Sequence, residues 1–382
     1  MNTPFYRILC SGEDVTEKYD GKLLSLTVID QTNEQSDSLQ IELADPGWTH
    51  TLPDKSYQLE IILGYDGKPL LDRLFIVDEV TIEGSPDKIT ICGKACPFNA
   101  SAALLPMQAR KTRSFDGVTL AEIARTIAAE NGLNPAVDPF FDTITEHIDQ
   151  TDESDNSLLA RLARDYDAVY KPATGKKSAN DATPGNYLVF AQASSGLSAS
   201  GLALPIVTVD RIKDNIRPGW RAVVSVRTQF SACKRKYHDP ETGQTHEATA
   251  GSGSKVLTIQ QPARNQSHAH CSARSTLKSL LRGSQNVVVE MPARFDIQSE
   301  QFVTLANFHP SINNVQWLAK VVEHRLTKGG GMTTRLGLEI ATPKTSTSSS
   351  SSGNGPDFGE TPSADYNADS DTADAPQEDD QS

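Results

Sequence analysis

Signals for membrane insertion, secretion and disulfide bonding are scarce in this chain of 382 residues. It contains no apolar run of the roughly eighteen residues that a membrane-spanning helix requires. Its first residues lack the basic and apolar segments of a secretory signal peptide. The five cysteines are too few and too irregularly spaced for a disulfide framework. We therefore expect reduced thiols and synthesis in a cytoplasm.

Motifs of common nucleotide-binding and hydrolytic enzymes are also missing. The chain has neither a Walker A sequence nor a dinucleotide-binding glycine pattern. It has no Gly-x-Ser-x-Gly elbow, and the Gly-Ser repeat at residues 251–254 is typical of a flexible loop. These absences count against an enzyme and against a bound cofactor.

The nearest approach to a metal-ligand cluster is His268, His270 and Cys271, with Cys92 and Cys96 as further candidates. Structural zinc sites use ligand pairs at short, regular intervals. The two histidines lie two positions apart on a predicted helix and so point in different directions. We therefore favour helix-surface histidines and core cysteines over a metal site.

A run of carboxylates, Asp149, Asp152, Glu153 and Asp155, has two chemical interpretations and one structural one. It lacks the glycine turn and the final glutamate of an EF-hand calcium loop. General acid catalysis needs a carboxyl group held in a pocket, which a sequence does not reveal. Capping of the helix that follows explains these residues most simply.

Basic clusters at residues 110–113 and 234–236 are candidates for nucleic-acid binding, because cationic side chains release counterions from phosphates. They lack interleaved aromatic residues, and the protein as a whole is acidic, with a net charge of −13. We favour solvated strand edges or contacts between subunits, and we do not expect specific nucleic-acid binding.

Much of the negative charge lies in the last residues. From residue 344 onward there are nine acidic residues and one lysine, a charge of −8 that leaves about −5 for the rest. This tail contains a serine run at residues 348–352 and almost nothing apolar. We expect residues 343–382 to be disordered, because they cannot bury enough surface to offset the entropy of ordering.

The remaining patterns predict an α+β, mainly β protein. Short alternating runs from residue 5 to about 91 indicate an antiparallel sheet closing into a barrel. Thr119 is the predicted N-cap of a helix that ends at Gly132, and a second helix follows after Ser154. An exposed loop is predicted at residues 171–185, and strands then resume. One further helix is predicted at about residues 263–281, ended by Gly283.

The most informative segment is residues 147–166, where an extended polar stretch becomes an amphipathic helix. Ser154 or Asp155 can accept hydrogen bonds from the free amides of the first helical turn, and nearby acids suit the positive end of the helix dipole. Leu158, Leu159 and Leu162 fall on one helical face, which predicts that this face is buried.

This segment resembles the motif His-x-x-Gln-x-x-Glu-Ser-Asp of the phage late control gene D family, the baseplate hub proteins of contractile tails, related to the hub part of VgrG-type spikes. Other matching pieces follow in the expected order, at residues 36–46, 59–65, 74–80, 317–326 and 333–340. Residues 294–312 depart from the family pattern, because they lack its glycine-containing turn. The predicted motif residues are His147, Gln150, Glu153, Ser154, Asp155, Leu158, Leu159 and Leu162.

The resemblance implies a first tube-like β-barrel at residues 1–95 and an α/β domain carrying the motif at 96–172. A second β-barrel with one inserted helix would follow at 173–342. It further implies a structural protein of the virion, assembled in the bacterial cytoplasm as a homotrimeric ring that adapts the sixfold tail tube to the trimeric central spike. Expected partners are the tube, the spike and other baseplate proteins. The alternatives are the hub of a phage-derived injection apparatus and a cell-wall hydrolase carried on the tail.

Overall fold

The computed structural model describes residues 3–32, 37–48, 57–95, 107–175, 185–197, 203–216, 219–224, 230–313 and 315–342. Cys96 and the acidic tail predicted to be disordered, residues 343–382, lie outside these ranges. None of the described helices is long and apolar enough for a membrane span.

The described elements are mostly strands. The first group is β1 (Pro4–Cys10), β2 (Glu13–Asp14), β3 (Leu23–Gln31), β4 (Ser38–Ala44), β5 (Gln58–Tyr65), β6 (Lys68–Glu83) and β7 (Lys88–Lys94). The second is β8 (Arg110–Thr119), β9 (Asn134–Val137), β10 (Thr145–Ser154), β11 (Ala168–Gly175) and β12 (Gly185–Gln192). The third is β13 (Val207–Asp210), β14 (Trp220–Val224), β15 (Ala232–His238), β16 (Thr245–Gly251), β17 (Val256–Ala263), β18 (Gln285–Pro292), β19 (Phe302–Ala306), β20 (Gln316–Thr327) and β21 (Gly331–Ile340).

Helices are fewer among the described residues, and the three longest lie in the middle part of the chain. They are α1 (Thr16–Tyr19), α2 (Leu120–Glu130), α3 (Asp155–Asp165), α4 (Gln266–Ser284) and α5 (Pro310–Asn313), with a 3-10 helix at Pro139–Thr143. The prediction of a mainly β, α+β fold is confirmed.

One large sheet runs through both ends of the chain. Its strands follow the order β14-β18-β21-β20-β3-β4-β7-β6-β5-β1-β2, and β13 and β19 extend it beside β20. The N-terminal and C-terminal parts meet where β3 pairs antiparallel with β20, from Gln31 opposite Val321 to Ser25 opposite Thr327. The two predicted barrel regions therefore share a continuous hydrogen-bonded ladder, which we call the internal seam.

The two halves of this sheet repeat the same strand order. The first half reads β3-β4-β7-β6-β5-β1, and the second reads β14-β18-β21-β20-β19-β13. Ranked by position in the chain, both halves are ordered 2-3-6-5-4-1. One pairing differs, since β1 is antiparallel to β5 whereas β13 is parallel to β19.

The middle unit packs α2 and α3 against small sheets. Thr119 caps α2 in a reciprocal capping box with Glu122, which confirms the predicted N-cap. Strand β12 pairs antiparallel with β11 and parallel with β9. The predicted domain boundary at residues 172 and 173 falls inside β11, so this hairpin extends the middle unit beyond it.

Helix α4 differs from its prediction at both ends. It starts at Gln266 rather than near residue 263, because the Asn265 side chain accepts a hydrogen bond from the His268 amide and is the N-cap. Gly283 does not end the helix but lies inside its last turn, and β18 begins immediately after Ser284. The helix packs against the sheet formed by β15, β16 and β17 and against α3.

Candidate functional site

The motif residues lie where β10 ends and α3 begins. Strand β10 pairs antiparallel with β8, and Gln150 lies opposite Arg113. Alternation along β10 turns Ile148 and Gln150 towards the core, while His147 and Asp149 face solvent. The motif is therefore divided between a buried half and an exposed half.

Asp155 is the centre of the buried half. Its side chain is 0% exposed, and its Oδ2 atom lies 2.6 Å from Lys111 Nζ while Oδ1 lies 2.8 Å from an Arg113 terminal nitrogen. Gln150 Nε2 donates to Oδ1 at 2.9 Å, and Asn131 Nδ2 donates to Oδ2 at 3.3 Å. Both carboxylate oxygens are therefore fully engaged, and the first residue of α3 is tied to α2 and to β8.

Gln150 completes this network from the strand side. Its Oε1 atom accepts a 2.7 Å hydrogen bond from Arg113 Nε, and its Nε2 atom donates to the Glu153 carbonyl at 2.8 Å. Glu130 on α2 accepts from both Lys111 and Arg113. Two cations and two carboxylates thus hold strand, helix entry and α2 together.

The electrostatics of Asp155 follow from this geometry. Burial by itself raises the pKa of a carboxyl group, but hydrogen bonds from Lys111, Gln150 and Asn131 outweigh burial and lower the pKa of Asp155. The ionised form is therefore the one that the fold stabilises. A group of this kind stabilises the protein at neutral pH and loses that contribution in acid.

Glu153 and Ser154 have local structural contacts. Ser154 is the N-cap of α3, since its Oγ atom accepts a hydrogen bond from the Ser157 amide at 3.2 Å. Glu153, near the end of β10, forms an ion pair with Arg161 of α3, with 2.7 Å between carboxylate and guanidinium. Arg161 also donates to the Asp149 carbonyl. The helix entry is thus fixed by a cap and an ion pair.

The remaining motif residues separate into two environments. Leu158, Leu159 and Leu162 are each 0% exposed and belong to the apolar core of the middle unit. His147 is exposed, and its Nδ1 atom lies 3.0 Å from an Asp116 carboxylate oxygen. That hydrogen bond is the main cause that raises the pKa of His147, and the charge of Asp149 is the next largest. The structure brings Gln150, Glu153, Ser154 and Asp155 together and leaves His147 outside this group.

A second buried charge cluster was missed by the sequence analysis. Lys171, predicted to begin an exposed loop, is instead a buried residue of β11. Its Nζ atom lies 3.4 Å from Asp30 and 3.3 Å from Asp37, and Asp30 also accepts hydrogen bonds from the amide and hydroxyl of Ser299. This contact joins the middle unit to the first half of the sheet and to the loop before β19.

Arg282 on α4 provides the matching contact with the second half. A terminal guanidinium nitrogen of Arg282 lies 2.5 Å from the carboxylate of Asp167, just beyond the end of α3, and Nε lies 3.7 Å from the carboxylate of Glu339 on β21. Arg282 also donates a hydrogen bond to Thr342 Oγ1. Glu339 in turn lies 3.0 Å from Lys320 on β20. Together with the Lys171 cluster, these pairs form what we call the junction network.

Glu300 lies in the junction network without a full set of partners. It is 7% exposed, and among the described residues its Oε2 atom has no hydrogen-bond partner. Burial, opposed by Arg282 and reinforced by Glu339, raises the pKa of Glu300 to about 7. Burial and the neighbouring charge of Asp30 likewise raise the pKa of Asp37 to about 6, although the charge of Lys171 opposes them.

The other candidate residues have structural surroundings. His268, which we expected on the helix surface, is instead buried beside Asp165, with 3.0 Å between ring nitrogen and carboxylate, and it stacks on Tyr166. Cys271 is buried, whereas His270 is exposed. The described residues contain no group of three or more His, Cys, Asp or Glu side chains arranged to hold a metal ion.

The basic clusters are paired with acids. Arg110 binds Asp152 on the ribbon of β8 and β10, and Lys234 and Lys236 both lie near Glu247 on β16. Arg235 is buried next to Asp165. These cations serve cross-strand pairing and packing within the chain.

The arrangement at the motif is suited to holding elements in place. Its carboxylates are bound by cations and amides, and its serine hydroxyl is engaged in a helix cap. General acid or nucleophilic chemistry requires a group within reach of a substrate. Asp155 and Gln150 are both 0% exposed, so neither offers such access.

The family model described as phage tail baseplate hub (GPD) matches residues 99–330. That range is more than half of the chain and includes the motif, Arg282 of the junction network and the internal seam strand β20.

Individual relatives and solved structures agree with the family match. The probable baseplate hub protein of Escherichia phage 186 is 27% identical over 378 residues, covering 88% of this chain and 93% of the relative. The tail protein of prophage MuSo2 from Shewanella oneidensis has a similar fold, with a TM-score of 0.59 at 13% identity, over 87% of this chain and 97% of that one. A component of the E. coli type VI secretion system is similar with a TM-score of 0.50 at 11% identity, over 84% and 73% of the two chains.

Replacing Asp155 by Asn should destabilise the protein far more than the same replacement at Asp152. Removing one partner of a buried ion pair costs about 3–5 kcal/mol, because the remaining charges stay buried. Asp152 makes an exposed pair with Arg110, worth at most about 1 kcal/mol. Ser154→Ala should cost about 1 kcal/mol through loss of the cap. Denaturant unfolding of the three variants measures these differences, and equal losses for Asp155→Asn and Asp152→Asn would contradict the assigned roles.

Replacing Glu300 by Gln should remove a pH dependence of stability. The pKa of Glu300 is raised from an ordinary 4.5 to about 7 in the folded chain, so the folded state holds a proton that the unfolded state releases. This contribution is complete below the ordinary pKa and is lost as pH rises to about 7. Gln does not ionise, so its contribution to the free energy of unfolding does not change with pH. As pH rises from 5 to 8, the stability of the variant relative to the parent should therefore increase by on the order of 2 kcal/mol. Parallel stability curves would contradict this.

Proposed function

Because the chain belongs to the phage tail baseplate hub family, we propose that three copies form a ring that joins the sixfold tail tube to the trimeric central spike. In this role the chain is a structural component of the virion, assembled in the cytoplasm of the bacterial host. Its partners are copies of itself, the tube protein, the spike protein and other baseplate proteins. The observation that carries the proposal is the repeated strand order of the large sheet.

The repeat supplies a physical route from threefold to sixfold symmetry. Each copy contains two sheet halves of the same strand order, joined by β3 and β20. A ring of three such copies has six halves, so it offers six similar surfaces to the tube on one side. Its true symmetry remains threefold, which suits a trimeric spike on the other side.

Adapting two symmetries requires that the halves keep a fixed spacing. The internal seam gives seven consecutive cross-strand residue pairs. The junction network adds contacts from the middle unit to both halves, through Lys171 to Asp30 and through Arg282 to Glu339. The two sheet halves would then behave as one body, with the α/β unit, extended by the hairpin of β11 and β12, held against both of them.

The motif takes a supporting role in this proposal. Gln150, Glu153, Ser154 and Asp155 fix the entry of α3, and α3 carries Asp167 just beyond its end. Asp167 is the residue that Arg282 binds. The motif therefore sets the position of the middle unit on the sheet without any chemical step.

A second candidate is the hub of a phage-derived injection apparatus. The similarity to the E. coli type VI secretion component favours it, although a likeness at 11% identity concerns the fold alone. Both candidates share the same ring and differ in the particle that contains it.

Tails assembled without this chain should lack the connection between tube and spike. Electron microscopy of particles from cells in which the chain is depleted should show tubes without tips, and resupply of the parent chain should restore them. Intact tubes joined to tips in its absence would contradict the proposal.

The competing hydrolase is tested on the same material. Purified chain should leave peptidoglycan undigested in a zymogram, as should a His268→Ala, Glu153→Gln double variant. Digestion by the parent chain that the double variant loses would favour the hydrolase instead.

A further inference from the structure

The internal seam has a counterpart that a single chain leaves open. At the seam, the second-ranked strand of the first half, β3, pairs with the fifth-ranked strand of the second half, β20. The reciprocal partners are the second-ranked strand of the second half, β14, and the fifth-ranked strand of the first half, β6. Within the described residues, β14 pairs only with β18, and the part of β6 beyond Val77 pairs only with β7.

Both halves contain a β-bulge at the equivalent place, so the two halves can be aligned residue by residue. The pairing of β6 with β7 shifts between Val77 and Glu79, and that of β20 with β21 shifts between Ala319 and Val321. Counting from the bulge, Phe75 corresponds to Trp317, and both are 0% exposed. The buried residues of β4 correspond in the same way to those of β18, as Leu39, Ile41 and Leu43 to Val287, Val289 and Met291.

The same alignment identifies which residues of β6 and β14 are equivalent to the paired residues of β20 and β3. Arg325 lies four residues after Val321, so its counterpart in β6 is Glu83, four residues after Glu79. On the other strand, Thr27 of β3 corresponds to Arg221 of β14. Thr27 pairs with a residue of β4 and Arg221 pairs with a residue of β18. These two partners are equivalent, because each lies opposite the first residue after the bulge, on the far side of β7 or β21. Thr27 faces Arg325 in the internal seam.

Side chains are buried at the internal seam and more exposed at the open edges of β14 and β6, as expected for edges that lack a partner strand. At the internal seam, Val28 and His324 face each other and are each 2% exposed. Their counterparts, Ala222 and Ile82, are half-buried and 49% exposed respectively. Val224, the counterpart of Asp30, is 53% exposed. Exposed apolar residues on an open strand edge are a feature that soluble proteins avoid unless another chain covers them.

We propose that β14 of one copy pairs antiparallel with the end of β6 of the next copy, continuing the sheet from chain to chain. The inferred register places Val224 opposite Val80, Ala222 opposite Ile82 and Arg221 opposite Glu83. This inference rests on the proposed ring and names the strands that close it.

The chemistry of the two edges is complementary. Val80, Ile82, Ala222 and Val224 would share one face of the continued sheet, where pairing would cover the two exposed side chains. Arg221 and Glu83 carry opposite charges, which stabilises a directly opposed cross-strand pair. Glu83 also lies 2.8 Å from Lys88 of its own chain, so the arginine would join an existing pair. Because the two edges differ, the contact is head-to-tail, and such a contact forms a ring when the rotation from copy to copy closes.

The test is an Ile82→Cys, Ala222→Cys double variant of the full chain, oxidised in assembled tails. Directly opposed residues place their Cβ atoms about 4.5–5.5 Å apart, close to what a disulfide requires. Most of the chain should move into covalent multimers that end at the closed ring, seen on a non-reducing gel. Mixing the two single variants should give covalent dimers only.

Matched controls define the register and the source of the cysteines. A Thr81→Cys, Ala222→Cys variant places the thiols on opposite faces and should stay uncrosslinked, as should the parent with its native cysteines. Equal crosslinking of this control, or no crosslinking of the first variant in tails that contain it, would overturn the pairing.

The pairing and the hub role fail in different ways. Tails that retain the chain and their spike but give no crosslink would refute the inferred strands and leave the hub role standing. Tails that carry their spike without containing the chain at all would refute the hub role, and the pairing with it.

Discussion

The pairing of β3 with β20 joins the two halves of the large sheet, and the placement of the other elements follows from it. It is formed by residues about three hundred positions apart in sequence, from Gln31 opposite Val321 to Ser25 opposite Thr327. A ladder across one sheet fixes both the distance and the rotation between the halves, since backbone hydrogen bonds allow little freedom in either. Two similar surfaces at a fixed spacing are what a ring needs if it is to meet a sixfold tube.

The junction network explains how the middle unit is held against this sheet. Buried ion pairs are costly to desolvate and add little net stability compared with apolar packing. Their geometry is demanding, however, because a misplaced partner leaves a charge buried and unpaired. Lys171 has two carboxylates within reach, and Arg282 binds Asp167 and Glu339. We interpret the network as a device that selects one docking geometry for the unit carrying the motif.

Local signals were enough to predict part of the candidate site. Thr119 and Ser154 are helix caps, and the leucines of α3 are buried, as their spacing indicated. The role of Asp155 was harder to predict, because its partners Lys111 and Arg113 lie more than forty residues earlier and meet it only through the pairing of β8 with β10. Lys171 was misread for a related reason. Lysine, proline and glycine in its neighbourhood favour a loop, and only tertiary contacts bury it.

The duplicated strand order was not visible in the sequence. Equivalent core positions keep only apolar character, as with Leu39 and Val287 or Phe75 and Trp317, and apolar character alone does not identify a repeat. The connections also differ, because β15, β16, β17 and α4 are inserted between β14 and β18. The mainly β fold class was predictable from alternation, whereas the shared sheet depended on long-range pairing that alternation does not specify.

A high-resolution electron microscopy map of the assembled tail tip would show how the copies are arranged. We expect a ring of three copies in which six sheet halves are evenly spaced around the axis and follow one another through alternating internal and intermolecular strand pairs. A ring of any other copy number, or one in which only a single half of each copy faces the tube, would contradict this expectation.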